Sequence, residues 1–381
     1  MCGIAGYVNS NGVLSEKLVL KNMTDSIAHR GPDGEGFFLE GNVALGHRRL
    51  SIIDLSERGA QPMHSDNKRF VLTYNGEVYN FKEIRSELIN LGYRFISETD
   101  SEVVLKAWQH WGKKSVNKFN GMFAFAIYDR KDGMVYLARD RYGIKPLYYA
   151  NWGNCLVFGS EQKALLEHPS TKKELDKEAL VEYFTFQNFF TNKTLLKGIH
   201  IVEPASIISI STKTNQITKE IYWDYQFKAA LTDNKIELEE ELDRLLQQAV
   251  SRQLVADVEL GSYLSGGMDS GTLTALASKK LPFINTFTCG FDLRSASGLE
   301  LAFDEREKAE YMSYLFKTEH YEMVLKSGDM ERSLNKLSHI LEEPRVGQSY
   351  PNFYAAKLAS KFVKVVLSGA GGDELFGGYF L

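Results

Sequence analysis

The feature that most constrains the fold is a change in hydrophobic pattern between the two halves of the chain. In the first half, short apolar or aromatic runs are bounded by Asp, Gly and Asn clusters, which is typical of strands and hairpins. These runs lie at 43–46, 70–74, 123–128 and 134–138. Helical spacing interrupts them at 81–91 and at 101–111, the second helix starting from an N-cap near Thr99–Ser101. The first half is therefore predicted to be a β-rich α+β domain.

The second half instead alternates strands with helices. An amphipathic helix is predicted over 236–254. Beyond it, predicted strands lie at 260–264, 284–289, 320–324 and 363–367, and predicted helices at 272–279, 306–316, 330–341 and 352–361. This alternation favours a parallel sheet with crossover helices, an α/β architecture. We place the boundary in the polar stretch 227–234, which gives domains at 1–226 and 235–381 in a chain of 381 residues.

Composition excludes several classes of protein. Hydrophobic residues make up 44% and charged residues 25%, the proportions of an ordinary globular protein. The formal net charge is −4, so the chain lacks the basic character expected of a protein that binds nucleic acid or an anionic membrane. Its 3 cysteines, at positions 2, 155 and 289, are too few and too scattered for a disulfide framework. We find no secretory signal and no membrane-spanning run, and we expect a cytoplasmic location.

Cys2 is the first residue that points to chemistry. A lone cysteine near an N-terminus is usually a small buried residue, because an unassisted thiol is weakly ionised at neutral pH. If Met1 is removed, however, Cys2 carries a free α-amine, a general base already attached to the nucleophile. Gly3 and Gly6 leave room for a substrate close to the backbone. The sequence thus offers a candidate nucleophile at position 2.

Three further segments supply groups that suit an amino-acid amide substrate. Arg49 offers a guanidinium for a carboxylate, and Asn75 with Gly76 offers a side-chain amide and a backbone N–H for an oxyanion. Glu77 and Asp100 offer two acids for an ammonium group. Each segment also has a simpler interpretation. Asn-Gly is most often a turn, Arg49 could be a solvated surface charge, and Asp100 could be a helix cap.

The chain resembles the class II, N-terminal nucleophile glutamine amidotransferases. Five ordered motifs carry this resemblance: Cys2-Gly3-Ile4-Ala5-Gly6, His29-Arg30-Gly31-Pro32-Asp33, Arg49-Leu50-Ser51-Ile52, Tyr74-Asn75-Gly76-Glu77 and Thr99-Asp100. The resemblance implies Cys2 as nucleophile, with an oxyanion hole at Asn75 and Gly76. The glutamine-binding residues that it implies are Arg49, Leu50, Ser51, Ile52, Ile53, Asn75, Gly76, Glu77 and Asp100. It also implies an αββα Ntn-hydrolase sandwich of two antiparallel sheets.

A second candidate site is Ser265-Gly266-Gly267-Met268-Asp269-Ser270, between a predicted strand and a predicted helix. Its two glycines let backbone N–H groups converge on an anion, and the helix N-terminus adds its dipole. Ser265 and Ser270 can donate to phosphate oxygens, and Asp269 can bind Mg²⁺. The simpler interpretation is a tight strand-to-helix turn capped by Asp or Ser. The chain has no Walker-type Gly-x4-Gly-Lys-Ser/Thr motif.

This loop resembles the Ser-Gly-Gly-x-Asp-Ser pyrophosphate loop of the ATP pyrophosphatases, whose domain is adenine nucleotide alpha hydrolase-like. The segments Phe303-Asp304-Glu305-Arg306 and Val365–Tyr379 resemble those of the asparagine synthetases. The ATP-binding residues that this implies are Leu264, Ser265, Gly266, Gly267, Asp269, Ser270, Cys289, Ser368 and Gly369. The implied ligands of Mg²⁺ are Asp269 and Asp373. For Cys289, a packed strand residue is the alternative.

Together the two domains resemble the glutamine-hydrolysing asparagine synthetases over essentially the whole chain. The resemblance implies a ligase that takes ammonia from L-glutamine and, with ATP and Mg²⁺, converts L-aspartate to L-asparagine through an acyl-adenylate. The alternatives are the same chemistry on another carboxylate, as in surface polysaccharide biosynthesis, or a remnant that keeps only glutaminase activity or ligand binding. We expect small-molecule partners, a homodimer as the assembly to test, and no nucleic-acid or membrane partner.

Two features depart from the family pattern. The sequence stops at Leu381, directly after the signature, where family members continue with a largely helical segment. We therefore expect a C-terminally truncated member with an incomplete parallel-sheet domain. In addition, Ala370 stands where many relatives have an acidic residue, and alanine cannot transfer a proton. This substitution is the feature that would mark a different acceptor.

Overall fold

A computed structural model describes residues 1–10, 12–227, 234–295, 304–345 and 349–378. The chain divides into two units, Met1–Lys228 and Ala229–Leu381. Most of the predicted boundary at 227–234 lies outside the described residues, as do Phe303 and Tyr379, the last residue of the signature segment. Among the described residues, no helix combines the length and the apolar composition that crossing a membrane requires.

The first unit contains twelve described strands and five described α-helices. The strands are β1 Gly3–Asn9, β2 Gly34–Glu40, β3 Val43–Arg49, β4 Met63–His64, β5 Phe70–Val78, β6 Gly121–Asp129, β7 Met134–Arg139, β8 Tyr148–Asn151, β9 Cys155–Gly159, β10 Ile199–Ile201, β11 Ser206–Ser211 and β12 Ile217–Ile221. The helices are α1 Lys17–Ser26, α2 Phe81–Asn90, α3 Asp100–Trp111, α4 Gln162–Leu166 and α5 Lys177–Phe186.

These strands form two six-stranded sheets, with the orders β10-β8-β9-β1-β3-β2 and β12-β11-β7-β6-β5-β4. Neighbouring strands pair antiparallel, as in the β1–β3 and β5–β6 pairs. Successive side chains of a strand point to opposite faces. Ile4 and Val8 of β1 therefore pack into the core shared with the second sheet, whereas Tyr7 packs in a separate cluster with Leu20 and Met23 of α1.

Helices cover the outer faces of both sheets. On the second sheet, the Trp108 ring of α3 contacts the rings of Phe125 and Tyr136. Helix α3 begins where predicted, because the Thr99 hydroxyl accepts a hydrogen bond from the Glu102 N–H and caps the first turn. The predicted αββα sandwich is confirmed.

The second unit alternates strands with helices, as predicted. Its described strands are β13 Leu260–Tyr263, β14 Asn285–Phe291, β15 Glu319–Leu325 and β16 Val365–Leu367. Its described helices are α6 Lys235–Gln253, α7 Met268–Ser278, α8 Arg306–Phe316, α9 Asp329–Leu341, α10 Ser349–Ala359 and α11 Gly372–Phe376. The strands form one sheet of order β15-β14-β13-β16, and every pair in it is parallel.

One predicted helix boundary is wrong in a way that matters for the site. Helix α7 begins at Met268, four residues before the predicted start at Thr272. Gly267 is the extended N-cap residue, and Gly271 lies inside the helix. Because glycine inside a segment argues against a helix, the sequence pattern predicted a later start than the structure has. As a result, Asp269 and Ser270 lie in the first turn of α7 rather than in a loop before it.

Candidate functional site

Cys2 lies immediately before β1, at the end of the first sheet. The β1–β3 register pairs Gly3 with Arg48, so Cys2 stands beside the chain that leaves β3. The Leu50 N–H donates to the Cys2 sulfur at 3.3 Å. The thiol is enclosed by protein, and burial raises the pKa of Cys2 above its usual value, although the hydrogen bond from Leu50 lowers it. A reactive thiolate at this position therefore needs help from nearby groups.

The backbone of Cys2 is held by Arg30, a buried residue of the second motif. Its guanidinium Nε donates to the Cys2 carbonyl at 3.0 Å, and its Nη1 donates to the Glu161 carboxylate at 2.8 Å. Glu161 also contacts His29 Nε2 at 3.1 Å and pairs with Lys163 at 2.7 Å. Burial raises the pKa of Glu161, but the hydrogen bonds with His29, Lys163 and Arg30 hold it at about 2. The position of Cys2 is thus fixed by a buried ion-pair cluster.

Asn75 and Gly76 do not form a turn. They lie within β5, where they pair with Ala124 and Phe123 of β6, so the turn interpretation is wrong. The Asn75 side chain is 1% exposed, and its Nδ2 is buried without a hydrogen-bond acceptor among the described residues. A buried unpaired donor costs free energy unless a ligand satisfies it. Asn75 Nδ2 is therefore suited to a developing negative charge.

Contacts between the sheets bring Asn75 towards the nucleophile. His47 of β3 contacts the carbonyl of Tyr74, the residue before Asn75, through its Nε2 at 3.1 Å. Burial lowers the pKa of His47 to about 4, so this imidazole is neutral and Nε2 donates to the carbonyl. The Thr73 hydroxyl donates to the Gly46 carbonyl at 3.1 Å. These bonds hold β5 against β3, the strand that leads to Leu50 and the Cys2 sulfur.

Two carboxyl groups and a lysine lie in the same place. Asp100 is buried and accepts hydrogen bonds from the Tyr74 hydroxyl at 2.6 Å and from the Val78 N–H at 2.9 Å. Asp100 is therefore not the helix cap, a role that Thr99 performs. Burial and the neighbouring Asp100 raise the pKa of Glu77 to about 8, although Lys145 lowers it. The two acids suit a cationic ligand, which would relieve their mutual repulsion.

Arg49 is partly buried rather than a free surface charge. Its guanidinium donates to the carbonyls of Asp54 and Ser56, at 2.5 and 2.7 Å. These bonds leave other guanidinium N–H groups for a ligand, because arginine has five donors. The adjoining segment is held by Asp33 of the second motif, whose carboxylate accepts from the Ser51 N–H at 2.9 Å. Leu50, Ile52 and Ile53 are partly exposed in this segment.

The second candidate site lies at the carboxyl end of β13. Ser265 organises this turn, because its hydroxyl contacts the Ser270 hydroxyl at 2.8 Å and accepts from the Gly267 N–H at 3.1 Å. The first N–H groups of α7 have no acceptor within the helix. A side chain at Gly266 would collide with Lys308 of α8, since an added Cβ would lie 2.7 Å from the Lys308 Cβ. The loop therefore presents backbone donors beside a lysine.

The loop after β16 packs directly against this turn. Strand β16 pairs with β13, and the Asp373 N–H donates to the Asp269 carboxylate at 3.0 Å. An added Cβ at Gly369 would lie 2.8 Å from the Ser270 nitrogen, and one at Gly372 would lie 2.2 Å from an Asp269 carboxylate oxygen. Glycine is thus required for the close approach, and the two aspartates are adjacent.

The remaining residues of the predicted ATP site lie on neighbouring strand ends. Leu264 is 1% exposed and its N–H donates to the Phe287 carbonyl at 3.0 Å. Cys289 is partly buried in β14, opposite Met323 of β15, and burial raises the pKa of its thiol to about 12. Ser368 is exposed. Both interpretations of Cys289 remain open.

Sequence reasoning missed Lys145. It is 5% exposed and lies among the charged groups that surround Cys2 and Glu77. The segment that carries it, Asp140–Pro146, gave no motif in the sequence, and the fold alone brings it to the nucleophile. Lys308 was also missed, because its helix is distant in sequence from the loop that it touches.

Comparison with known proteins agrees with the two units. Residues 1–223 match the family model of the glutamine amidotransferase domain, and residues 241–381 match that of asparagine synthase. Asparagine synthetase [glutamine-hydrolyzing] 1 of Bacillus subtilis is 36% identical over 100% of this chain and 59% of its own length. A Methanocaldococcus jannaschii protein, provisionally named asparagine synthetase [glutamine-hydrolyzing] 2, is 36% identical over 100% of this chain and 76% of its own length.

A solved structure of glutamine phosphoribosylpyrophosphate amidotransferase from Bacillus subtilis aligns with 15% identity and a TM-score of 0.44, over 87% of this chain and 70% of that one. The fold and the two family matches are those of a class II glutamine amidotransferase domain followed by an asparagine synthase domain. The chain belongs to the family of glutamine-hydrolysing asparagine synthetases. It spans 59% of the length of the first Bacillus subtilis relative.

Proposed function

We propose that the protein hydrolyses L-glutamine at Cys2 and uses the ammonia to amidate L-aspartate that ATP has activated. In this proposal, residues 1–226 form the glutaminase domain and residues 235–381 belong to the synthetase domain. The observation that carries the first half is the buried, unpaired amide of Asn75 Nδ2, on a strand held against the chain beside the Cys2 sulfur.

The glutaminase step begins with the Cys2 thiol. After removal of Met1, the α-amine of Cys2 takes the thiol proton, and the sulfur forms a bond to the amide carbon of glutamine. The carbonyl π electrons move onto oxygen, where Asn75 Nδ2 and the Gly76 N–H donate to the oxyanion. The resulting α-ammonium returns its proton to the amide nitrogen, which leaves as ammonia. Water then hydrolyses the thioester and releases glutamate.

Binding of free glutamine follows from the surrounding charges. Arg49 binds the α-carboxylate, and Glu77 with Asp100 binds the α-ammonium. The segment Leu50, Ser51, Ile52 and Ile53 lines the side of the substrate next to the nucleophile. Two observations support this assignment. Asp100 is already oriented by two hydrogen bonds that its carboxylate accepts. The pKa of Glu77 is raised, and a bound cation would lower it.

The synthetase step uses the two loops at the carboxyl ends of β13 and β16. The N–H groups of the first turn of α7, with Ser265 and Ser270, bind the phosphates of ATP. Leu264, Cys289, Ser368 and Gly369 line the nucleotide. The carboxylate of aspartate attacks the α-phosphate, pyrophosphate leaves, and ammonia then displaces AMP from the acyl-adenylate.

Asp269 and Asp373 would hold Mg²⁺. The two residues are adjacent, because the Asp373 N–H donates to the Asp269 carboxylate, and carboxylate oxygens are hard donors that suit this ion. The described residues contain no group of three or more acidic, histidine or cysteine ligands, so ATP phosphates and water would complete the coordination. When bound, Mg²⁺ neutralises charge on the pyrophosphate that leaves. The cytoplasmic location and the homodimer stay predictions.

Glutamate release from L-glutamine tests the glutaminase half. We expect release by the purified protein and its loss in Cys2→Ala, with glutamine binding retained because the binding groups are untouched. Cys289→Ala is the matched control and should release glutamate at the parental rate. Appreciable turnover in Cys2→Ala would overturn the assignment of the nucleophile.

Pyrophosphate release tests the synthetase half. With ATP, Mg²⁺ and ammonium present, we expect release that depends on added L-aspartate. Release that another carboxylate supports and aspartate does not would replace the proposed acceptor. Because ammonium bypasses the first site, this outcome is independent of the glutaminase result.

A further inference from the structure

Lys145 is a buried charged residue that the steps above do not use. It lies between β7 and β8, in a segment organised by the buried Asp140. The Asp140 carboxylate accepts hydrogen bonds from the N–H groups of Ile144 and Lys145, at 2.9 and 3.0 Å, and from that of Phe123 at 3.1 Å. The Lys145 carbonyl accepts from Arg139 Nε at 2.8 Å. The backbone that carries this lysine is therefore tightly fixed against β6.

The ammonium of Lys145 is without a direct partner. Only 5% of the residue is exposed, yet Nζ forms neither a hydrogen bond nor an ion pair with any other described residue. A buried cation without a partner is costly, because desolvation opposes its charge. The contrast with Lys106 is direct, since that buried lysine pairs with Asp66 at 2.8 Å and with Glu102 at 3.3 Å.

The groups that face Lys145 belong to the glutaminase site. The segment lies beside Glu77, because Phe123, whose N–H donates to the Asp140 carboxylate, pairs with Gly76 of β5. The charged groups that act on Lys145 are Glu77, Arg30, Cys2 and Asp140. Arg30 is bound through Nε to the Cys2 carbonyl and through Nη1 to the Glu161 carboxylate, which takes up much of its charge. Lys145, by contrast, has no carboxylate paired with it, and its charge adds to that of the α-amine beside the Cys2 sulfur.

We propose that Lys145 is an electrostatic positioning residue of the glutaminase site, whose buried ammonium stabilises the Cys2 thiolate and favours the ionisation of Glu77 when the substrate ammonium binds. This inference rests on the proposed glutaminase function and adds a residue to it. No covalent bond to Lys145 forms, and its proton is not transferred. Its charge lowers the free energy of the Cys2 thiolate relative to the thiol.

The charge balance explains why this position needs a cation. The Cys2 thiol faces the N-terminal amine, Asp100 and Lys145. Asp100 and burial both raise the pKa of the thiol, whereas the amine and Lys145 lower it. Without Lys145, the thiolate would face one buried carboxylate directly and Glu77 nearby, so the pKa of the thiol should rise.

This proposal is tested by the rate at which iodoacetamide alkylates Cys2 at a series of pH values. Mass spectrometry of the N-terminal peptide measures the extent of alkylation. We expect Lys145→Met to move the midpoint of the profile upward by roughly one pH unit, which is the lower end of the shift that one nearby charge produces. Alkylation below the midpoint should then be roughly tenfold slower. Lys145→Arg keeps the charge and should restore most of the reactivity. An unchanged midpoint in Lys145→Met overturns the proposal.

Two further variants guard against a general loss of structure. Lys106→Met removes a buried lysine whose partners lie outside the groups facing Cys2, and its profile should match the parent. A shift in Lys106→Met as large as that in Lys145→Met would overturn the proposal. A second comparison sets Glu77→Gln against the double variant Glu77→Gln/Lys145→Met. Neither protein has a carboxylate at position 77, so loss of Lys145 leaves no buried charge there without a cation. The double variant should again show the higher midpoint of the alkylation profile.

Failure of this proposal can be separated from failure of the proposed function. Alkylation reports the thiol directly and needs no glutamine. If the parent released no glutamate but the midpoint still depended on Lys145, the electrostatic inference would stand and the glutaminase assignment would fall. If glutamate were released but the midpoint did not depend on Lys145, the glutaminase assignment would stand and the electrostatic inference would fall.

Discussion

The two candidate sites are built in opposite ways. Around Cys2 the chemistry resides in buried side chains, such as Asn75 and Asp100, which are 1% and 6% exposed. At the carboxyl ends of β13 and β16 it resides in backbone donors and glycines, with Asp269 and Asp373 only partly buried. The site around Cys2 shifts the protonation of its own side chains, whereas the site at β13 and β16 binds a ligand that already carries charge.

This difference predicts how each site responds to substitution. When one partner of a buried pair is removed, the other stays buried without compensation for its lost hydration. Substitutions near Cys2 should therefore have large effects that depend on pH. Changes at Asp269 or Asp373 should be smaller, and solvent should screen them. The following variants test that contrast.

Asn75→Ala should have the largest effect. Removing one donor from an oxyanion hole costs roughly 100- to 1,000-fold in kcat, and the KM for glutamine should change little because the donor acts after binding. Glutamate release under saturating glutamine measures the loss. Asn90→Ala, at the exposed end of α2, is the control. A tenfold increase in KM with kcat retained would assign Asn75 to ground-state binding instead.

Arg49→Ala should weaken glutamine binding by at least about tenfold, because removing one partner of a buried charge pair costs roughly 2–5 kcal/mol. Binding of glutamine to a Cys2→Ala background, followed by calorimetry, gives the affinity without turnover. Arg48→Ala is a close control, since Arg48 is the neighbouring residue on β3 and pairs with Glu35 at 2.7 Å. Equal affinity in the two variants would show that Arg49 has no substrate role.

Asp269→Asn should weaken binding of ATP with Mg²⁺ by roughly tenfold, the scale of one charge contact in a partly exposed site. Asparagine still offers an oxygen to the Asp373 N–H, so the loops should keep their arrangement. Glutamate release should be unaffected. Asp243→Asn, on the exposed side of α6, is the control. A loss of ATP binding that is independent of Mg²⁺ would contradict the role assigned to Asp269.

Glu77→Gln should change the pH dependence of stability. The folded-state pKa of Glu77 is raised from 4.5 to about 8, mainly by burial and by Asp100. The folded protein therefore holds a proton that the unfolded chain has lost, and stability should fall as pH rises from about 4.5 to 8. Glu77→Gln removes this decline, which at about 1.4 kcal/mol for each unit of pKa amounts to several kcal/mol across the window.

Urea denaturation at pH 5, 6.5 and 8 measures that decline in parent and variant. Glu87→Gln, an exposed carboxylate paired with Lys118, should keep the parental dependence. A parental slope in Glu77→Gln would mean that another buried group, such as Asp100, carries the proton.

Local patterns in the sequence predicted most of the fold and the outline of both sites. Apolar periodicity is a local property, and it predicted the helix at 306–316 with the bounds that α8 has. The pattern of Asn75-Gly76 suggested a turn as one interpretation, but cross-strand pairing to β6 determines its conformation. Lys145 could not be found, because its burial beside Cys2 depends on Asp140 and on contacts between residues distant in sequence.

The central claim is that Cys2, freed from Met1, is the one cysteine that attacks a glutamine-shaped substrate. The most direct measurement is mass spectrometry after treatment with a diazoketone analogue of glutamine, which alkylates an attacking thiol. We expect one adduct, on a peptide that begins at Cys2, and protection by L-glutamine. Labelling of Cys155 or Cys289 instead, or equal labelling of peptides that retain Met1, would contradict it.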